Sequence, residues 1–404
     1  MTEKSHPERR SKPMRSHIED GSLVVYPEGR IDSAAVPDLE EEIAAVLKEN
    51  PGIPLVIDAS GIEYISSAGL RLLLRLKNES GRELTVRNVG PEVYEVLEMT
   101  GFTMLLKIQR KLREISTEGC PEIGRGAVGT VYRLDRDTIV KVYMRHDSLE
   151  MIRNEQKRAR QAFLLGIPTA IPFDVVRVGE RYGAVFEMIR AENFNDLVVR
   201  HPERLEEILE SYVNLMKTIH RVEVPKGDLP DARDVYRGYL SEVSGFLPGD
   251  TAERLDRRIG EMPEDRHALH GDIQLKNVMF SDHEPLVIDM ETICKGNPVF
   301  EFAGLYMSYV AFGEDDPENN PAFFGFDNET SAKIFNESLR LYLEDPDAET
   351  LRRARERIEL LGSLRFLYQV AVAKFGKPEL CEHRIRRTGE KIRELLERVD
   401  TLAI

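Results

Sequence analysis

Three cysteines in 404 residues, Cys120, Cys294 and Cys381, lie far apart and form no CxxC pair. That scarcity argues against a disulfide framework or a zinc site and fits a reducing cytoplasm. No stretch approaches the ~20 consecutive apolar residues that span a bilayer, so no membrane contact is expected. The first twenty residues are polar and charged, unlike the apolar centre of a secretory signal, which again points to the cytoplasm. Solenoid-type repeats and low-complexity tracts are also missing. The charge is lopsided: 56 Lys and Arg against 71 Asp and Glu leave a formal −15. Such acidity disfavours a general nucleic-acid binder and admits cationic small molecules as partners. What remains is ordinary for a globular chain, 41% hydrophobic and 31% charged, long enough for two or three domains.

The chain divides by pattern. Residues 1–15 are charged and aperiodic and read as a flexible tail. Residues 16–115 alternate strands and helices, the arrangement of an open sheet with helical cover. Ser22–Tyr26 and Pro54–Asp58 are strand-like, and Pro27-Glu28-Gly29 reads as a strand stop. Val36–Glu49 sets Leu39, Ile43, Val46 and Leu47 on one helical face. A helix opens at Ser66-Ser67-Ala68-Gly69, a strand follows at Leu84-Thr85-Val86, and another helix runs from Pro91 to Met99. From residue 119 onward a strand-rich part, to about residue 192, precedes a helix-rich part, 193–404. The expected fold is therefore an α/β sheet-and-helix domain followed by an α+β bilobal domain. Of the −15 charge, −11 falls after residue 118.

The second domain carries the chemistry. Gly124, Gly126 and Gly129 form a glycine pattern followed by the strand-forming run Val131–Leu134. Glycines let backbone N–H groups approach a phosphate without an intervening Cβ. A strand after the pattern, where a dinucleotide site needs a helix, suits a flap over ATP phosphates. Lys141 interrupts the apolar strand Thr138–Tyr143: it either faces solvent at an alternate position or holds the α- and β-phosphates. Glu155, fourteen residues on within a helical stretch, could orient it. The sharpest signal is His270-Gly271-Asp272-Ile273-Gln274-Leu275-Lys276-Asn277, followed by Leu286-Val287-Ile288-Asp289. Phosphoryl transfer to a hydroxyl needs a carboxylate at the acceptor and oxygen ligands for magnesium. Asp272 fits the first role, and Asn277 and Asp289 the second, with Mg²⁺ and ATP as the implied cofactors.

These motifs, from Gly119 to about Val399, resemble the aminoglycoside phosphotransferase and choline kinase family, a branch of the protein-kinase-like fold. The resemblance implies ATP binding between two lobes, with Glu187-Met188-Ile189 as the adenine hinge through backbone groups at Glu187 and Ile189. It implies a small-molecule hydroxyl as acceptor. Gly271 stands where many protein kinases carry an arginine, Met290-Glu291 follows the metal-type Asp289, and only eleven residues separate Asp289 from Glu301. That leaves little room for a peptide-presenting segment. Phe312–Glu318, with three acidic residues in a row, is a candidate lip for a cationic, aminoglycoside-like acceptor.

Gly29-Arg30-Ile31-Asp32, Leu55–Ile62, Ile65–Arg71, Val89-Gly90-Pro91 and Leu97–Phe102 resemble the STAS fold of anti-sigma-factor antagonists. The resemblance implies a docking or regulatory module for a protein partner. In regulatory members a serine at the helix N-terminus just before the Gly-Leu pair is phosphorylated. Ala68 holds that place here, so Ser66 and Ser67 are candidate phosphosites or simple helix caps. Two other functions compete with a small-molecule phosphotransferase: a protein kinase acting on a STAS serine, and a non-enzymatic nucleotide-sensing scaffold in an anti-sigma pathway.

Overall fold

The computed structural model describes residues 14–80, 83–126, 129–144, 149–281 and 284–404. The chain forms two compact units, Met1–Glu114 and Ile115–Ile404. Residues 1–13, most of the expected tail, lie outside the described residues, and Arg15 already belongs to a strand.

In the first unit the sheet order is Arg15–Glu19, Ser22–Tyr26, Leu55–Asp58, Leu84–Val89, Lys107–Arg110. The first pair is antiparallel and the others are parallel. Parallel neighbours need crossover helices, and Val36–Glu49, Ser67–Ser80 and Pro91–Met99 supply them. Leu23, Val25, Ile43, Leu55, Ile57, Leu73, Val86 and Leu97 form the buried core. The Pro27 stop is only a corner: the chain restarts as the strand Glu28–Ile31, paired in parallel with Gly61–Ile65.

The second unit opens with an antiparallel sheet in the order Pro172–Val178, Arg181–Glu187, Thr138–Tyr143, Gly129–Arg133, Glu122–Arg125. Val140, Val142, Val176 and Val185 are its buried apolar ladder. The helix Leu149–Leu164 packs on this sheet, burying Ile152, Glu155, Gln156, Ala159 and Ala162. A helical lobe follows, built from Leu205–Ile219, Ala232–Val243, Thr251–Gly260, Val299–Tyr309, Asn328–Tyr342, Ala348–Ala371 and Cys381–Leu396. Its large continuous core contains Tyr212, Met216, Phe302, Leu361, Phe366 and Leu396. The loop bearing Asp272 and the hairpin Val278–Ser281/Glu284–Val287 lie between these helices in sequence. After Asp289 the chain makes one short turn, Met290–Thr292. Cys294–Lys295 then pairs with Ala268–Leu269 before the helix at Val299. Among the described residues no helix is long and apolar enough to cross a membrane.

Candidate active site

The strand alternation decides where Lys141 points. Val140 and Val142 are buried against the ladder, so Lys141 takes the opposite face, yet that face is not open solvent. Its Nζ lies 3.0 Å from Glu155 Oε1 and 3.0 Å from Asp289 Oδ1. Burial alone would lower the Lys141 pKa; the carboxylates of Asp289 and Glu155 outweigh it and hold the ammonium charged. Glu155 itself is 2% exposed. Its second oxygen, Oε2, accepts a hydrogen bond from Tyr143 Oη at 2.5 Å.

The glycine pattern forms the hairpin Glu122–Arg125/Gly129–Arg133, with Gly126 N–H donating to Gly129 O at 2.9 Å. A Cβ on Gly129 would come within 2.5 Å of Val142 O, so the close approach of two strands demands that glycine. A Cβ on Gly126 would meet nothing within 4 Å, and one on Gly124 would make only ordinary contact with Val131. Among the described residues, nothing in the packing requires glycine at either position. The hairpin tip, Ala127 and Val128, lies outside the described residues.

The Asp272 loop is held by buried groups. Gly271 has φ +83°, and a Cβ there would sit against Thr292 O. The missing arginine therefore has a steric explanation: this backbone accepts only glycine. Glu301, 1% exposed, accepts from His270 N–H at 2.7 Å and Gly271 N–H at 2.9 Å. His220 Nε2 stands 3.3 Å from the same carboxylate. Arg365, from the helix Ala348–Ala371, donates from Nη1 to Gly271 O, and its Nη2 lies 3.9 Å from Asp272 Oδ1. Gln274 Nε2 donates to Asp272 Oδ2 at 3.1 Å. Burial raises the Asp272 carboxyl above its ordinary value, against the opposing pull of Arg365 and His270. A raised carboxylate is better matched to taking up a hydroxyl proton.

Asn277 donates from Nδ2 to Asp272 O at 2.8 Å, which leaves its amide oxygen as the group available for a cation. Asp289 has φ +66° and ψ +62°, a left-handed backbone rare outside glycine and concentrated at functional sites. Oxygens of Glu155, Asp289 and Glu291 lie within 4.8 Å of one another. Burial and the neighbouring carboxylates Glu155 and Asp289 raise the Glu291 pKa, against the opposing pull of Lys141 and Arg158. A hard, all-oxygen donor set of this kind suits Mg²⁺. At the expected hinge, Glu187 N–H donates to Ile171 O and Met188 N–H to Asp137 O, both satisfied within the protein. Ile189 follows them directly and, among the described residues, makes no backbone hydrogen bond.

A profile of the phosphotransferase enzyme family matches residues 119–334. The chain belongs to that family. The phosphotransferase also carries a STAS domain: a second profile, described as Mlab, STAS domain, matches residues 14–107. Over 93 residues it is 36% identical to BtrV of Bordetella bronchiseptica, named as an anti-sigma factor antagonist, covering 22% of this chain and 78% of that protein. Among solved structures, aminoglycoside phosphotransferase APH(4)-Ia with ADP and hygromycin B matches at 14% identity and TM-score 0.47. That match covers 69% of this chain and 93% of the other. ADP-bound APH(2'')-Ib matches at 15% identity and TM-score 0.46, covering 76% and 99%.

The structure brings Lys141, Glu155 and Asp289 together, and it joins Asp272 to Asn277 through hydrogen bonds. Sequence reasoning overlooked Glu301, Arg365, Gln274 and Tyr143 as supports of these groups. A charged residue inside a largely apolar run, the helix Val299–Tyr309 for Glu301 and the stretch Leu360–Ala371 for Arg365, was the available signal. Most of the acidic lip is paired within the protein. Glu314 pairs with Lys391 and Arg387, Asp315 with Arg384 and Arg387, and Asp316 with Lys377. Three of its carboxylates thus face four cations, while Glu318 at the end of the segment is exposed. In the first unit Ser66 Oγ accepts from Ala68 N–H at 3.2 Å, while Ser67, the first helical residue, is exposed.

Proposed function

We propose that the phosphotransferase moves the γ-phosphoryl group of ATP to a hydroxyl of a small molecule. The observation that carries this reading is the meeting of Lys141 with Glu155 and Asp289, each at 3.0 Å. In this reading Lys141 binds the α- and β-phosphates, and the glycine hairpin of Gly124, Gly126 and Gly129 covers them. The hinge at Glu187 and Ile189 holds the adenine through backbone groups. Asp272 orients the acceptor hydroxyl and accepts its proton. Asn277 and Asp289 would hold Mg²⁺, which when bound neutralises phosphate charge; Glu291 is a further oxygen beside them. Catalysis by such a site is positioning plus charge compensation. The short, strand-pinned connection from Asp289 to Val299 favours a small acceptor over a peptide, because it leaves no long loop to dock one.

The test is ADP release from the full chain with Mg-ATP against aminoglycosides, choline, amino sugars and nucleosides. We expect at least one of these hydroxyl compounds to raise ADP release at least about tenfold over the acceptor-free rate, an effect of ~1.4 kcal/mol on the barrier. No stimulation by any of them would count against the reading. Because Glu314, Asp315 and Asp316 are paired internally, polycationic aminoglycosides should show little added preference at low salt over neutral sugars.

For the STAS domain we infer a docking role toward a protein partner. A second reading, protein kinase activity on a STAS serine, draws on the exposure of Ser67. Ser66 is spent as the helix cap. Incubation with Mg-ATP followed by mass spectrometry should then place phosphate on Ser67, and Ser67→Ala should abolish it. An unmodified chain that turns over a small alcohol dismisses this second reading.

A further inference from the structure

Lys141 and Tyr143 are two residues apart on one strand, so both side chains leave the same face of the sheet. Both end at Glu155. The carboxylate gives Oε1 to Lys141 Nζ at 3.0 Å and Oε2 to Tyr143 Oη at 2.5 Å. Tyr143 is 1% exposed, and Lys141 Nζ sits 5.3 Å from its ring centroid. A ring filling space beside Ile152 and Ala184 could be phenylalanine; the hydroxyl is what reaches Glu155. Lys141 has a second carboxylate at equal distance, Asp289. If Glu155 could rotate, nothing would stop Lys141 from following Asp289 instead.

We propose that Tyr143 is a positioning residue that fixes the Glu155 carboxylate at both oxygens and thereby holds Lys141 in its phosphate-binding place. This rests on the phosphotransfer reading above. A carboxylate with one hydrogen-bonded oxygen can pivot about its terminal torsion; one held at both oxygens cannot. Burial and the Glu155 charge keep the Tyr143 phenol protonated, so it remains a donor. Because the site is buried, an unpaired Oε2 would also carry a desolvation penalty that favours rearrangement.

The experiment is calorimetric titration of the full chain with ATP and, separately, with adenosine, which has no phosphate for Lys141 to hold. Y143F should weaken ATP binding about tenfold, a loss of ~1.4 kcal/mol, while adenosine affinity stays unchanged. In K141A, adding Y143F should cause no further loss of ATP affinity, because Tyr143 acts only through the lysine. Parallel weakening of ATP and adenosine, or no weakening of either, overturns the proposal. So does an additive loss in the double variant. Should Y143F fail to fold, the E155Q/Y143F pair removes the stranded carboxylate. It should bind ATP as E155Q alone does, and a larger loss overturns the proposal. Failure of the unsubstituted chain to bind ATP would overturn the phosphotransfer reading together with this one; ATP binding with parallel losses overturns only this one.

Discussion

Asp272→Ala should lower the rate of phosphoryl transfer by roughly 10²–10⁴-fold, the usual worth of a positioned general base. ATP affinity should change by no more than about threefold, since the phosphate contacts belong to other residues. The loop is built to hold this one carboxylate: Gln274 donates to Oδ2, Arg365 lies 3.9 Å from Oδ1, and Asn277 ties the Asp272 carbonyl. Glu301 anchors the preceding two residues, so the loop backbone keeps its ties, while Gln274 and the buried Arg365 lose their carboxylate. A thermal melt of the variant beside the wild type separates any loss of folding from the loss of chemistry. Single-turnover assays with a responsive acceptor, alongside ATP titration, separate the two effects. Undiminished transfer would remove Asp272 from the chemistry.

Glu301→Gln should have the largest effect on stability. Glu301 is buried and receives two backbone N–H groups and His220. An amide has only one oxygen, so its NH₂ must face a donor, leaving a buried N–H without an acceptor. Hydrogen bonds to charged groups contribute about 1.5–3 kcal/mol each, so a loss of about 3 kcal/mol is expected. For a unit of this size, at ~2.1 cal/mol/K of unfolding entropy per residue, that corresponds to about 5 °C in Tm. The pH dependence has a definite sign. Burial alone would raise the Glu301 pKa, but His220 and the His270 N–H outweigh it and hold the carboxyl below 4.5. A depressed folded value means the stabilisation is complete above pH 4.5, the unfolded reference, and is lost as pH falls through the folded value. Glu301→Gln should lack that acid slope. Thermal melts of both proteins from pH 7 downward would show it, and parallel curves would contradict the assignment.

The chemistry was legible because it is local. His270 to Asn277 is one loop, Asp289 lies twelve residues beyond Asn277, and Glu155 is fourteen beyond Lys141. The supports were not legible because packing sets them. Arg365 reaches Gly271 O across 94 positions and Glu301 reaches Gly271 N across 30, distances that only the helical lobe closes. Tyr143 was hidden for a different reason: an aromatic residue ending an apolar strand reads as core, and only its partner reveals its hydroxyl. In the first unit, Arg15–Glu19 escaped notice as an exposed edge strand with polar side chains, which carries no apolar alternation. The pairing of the acidic lip was not legible either, since the four cations facing Glu314, Asp315 and Asp316 arrive from residues 377–391.

The brevity of the chain between Asp289 and Val299 has a regulatory consequence. Where kinases carry a long loop there is a handle on which other enzymes can write an on or off mark. Here that stretch is one turn and a two-residue strand stitched to Ala268–Leu269. That stretch offers no such handle, so a mark or partner that controls this phosphotransferase would have to act elsewhere on the chain.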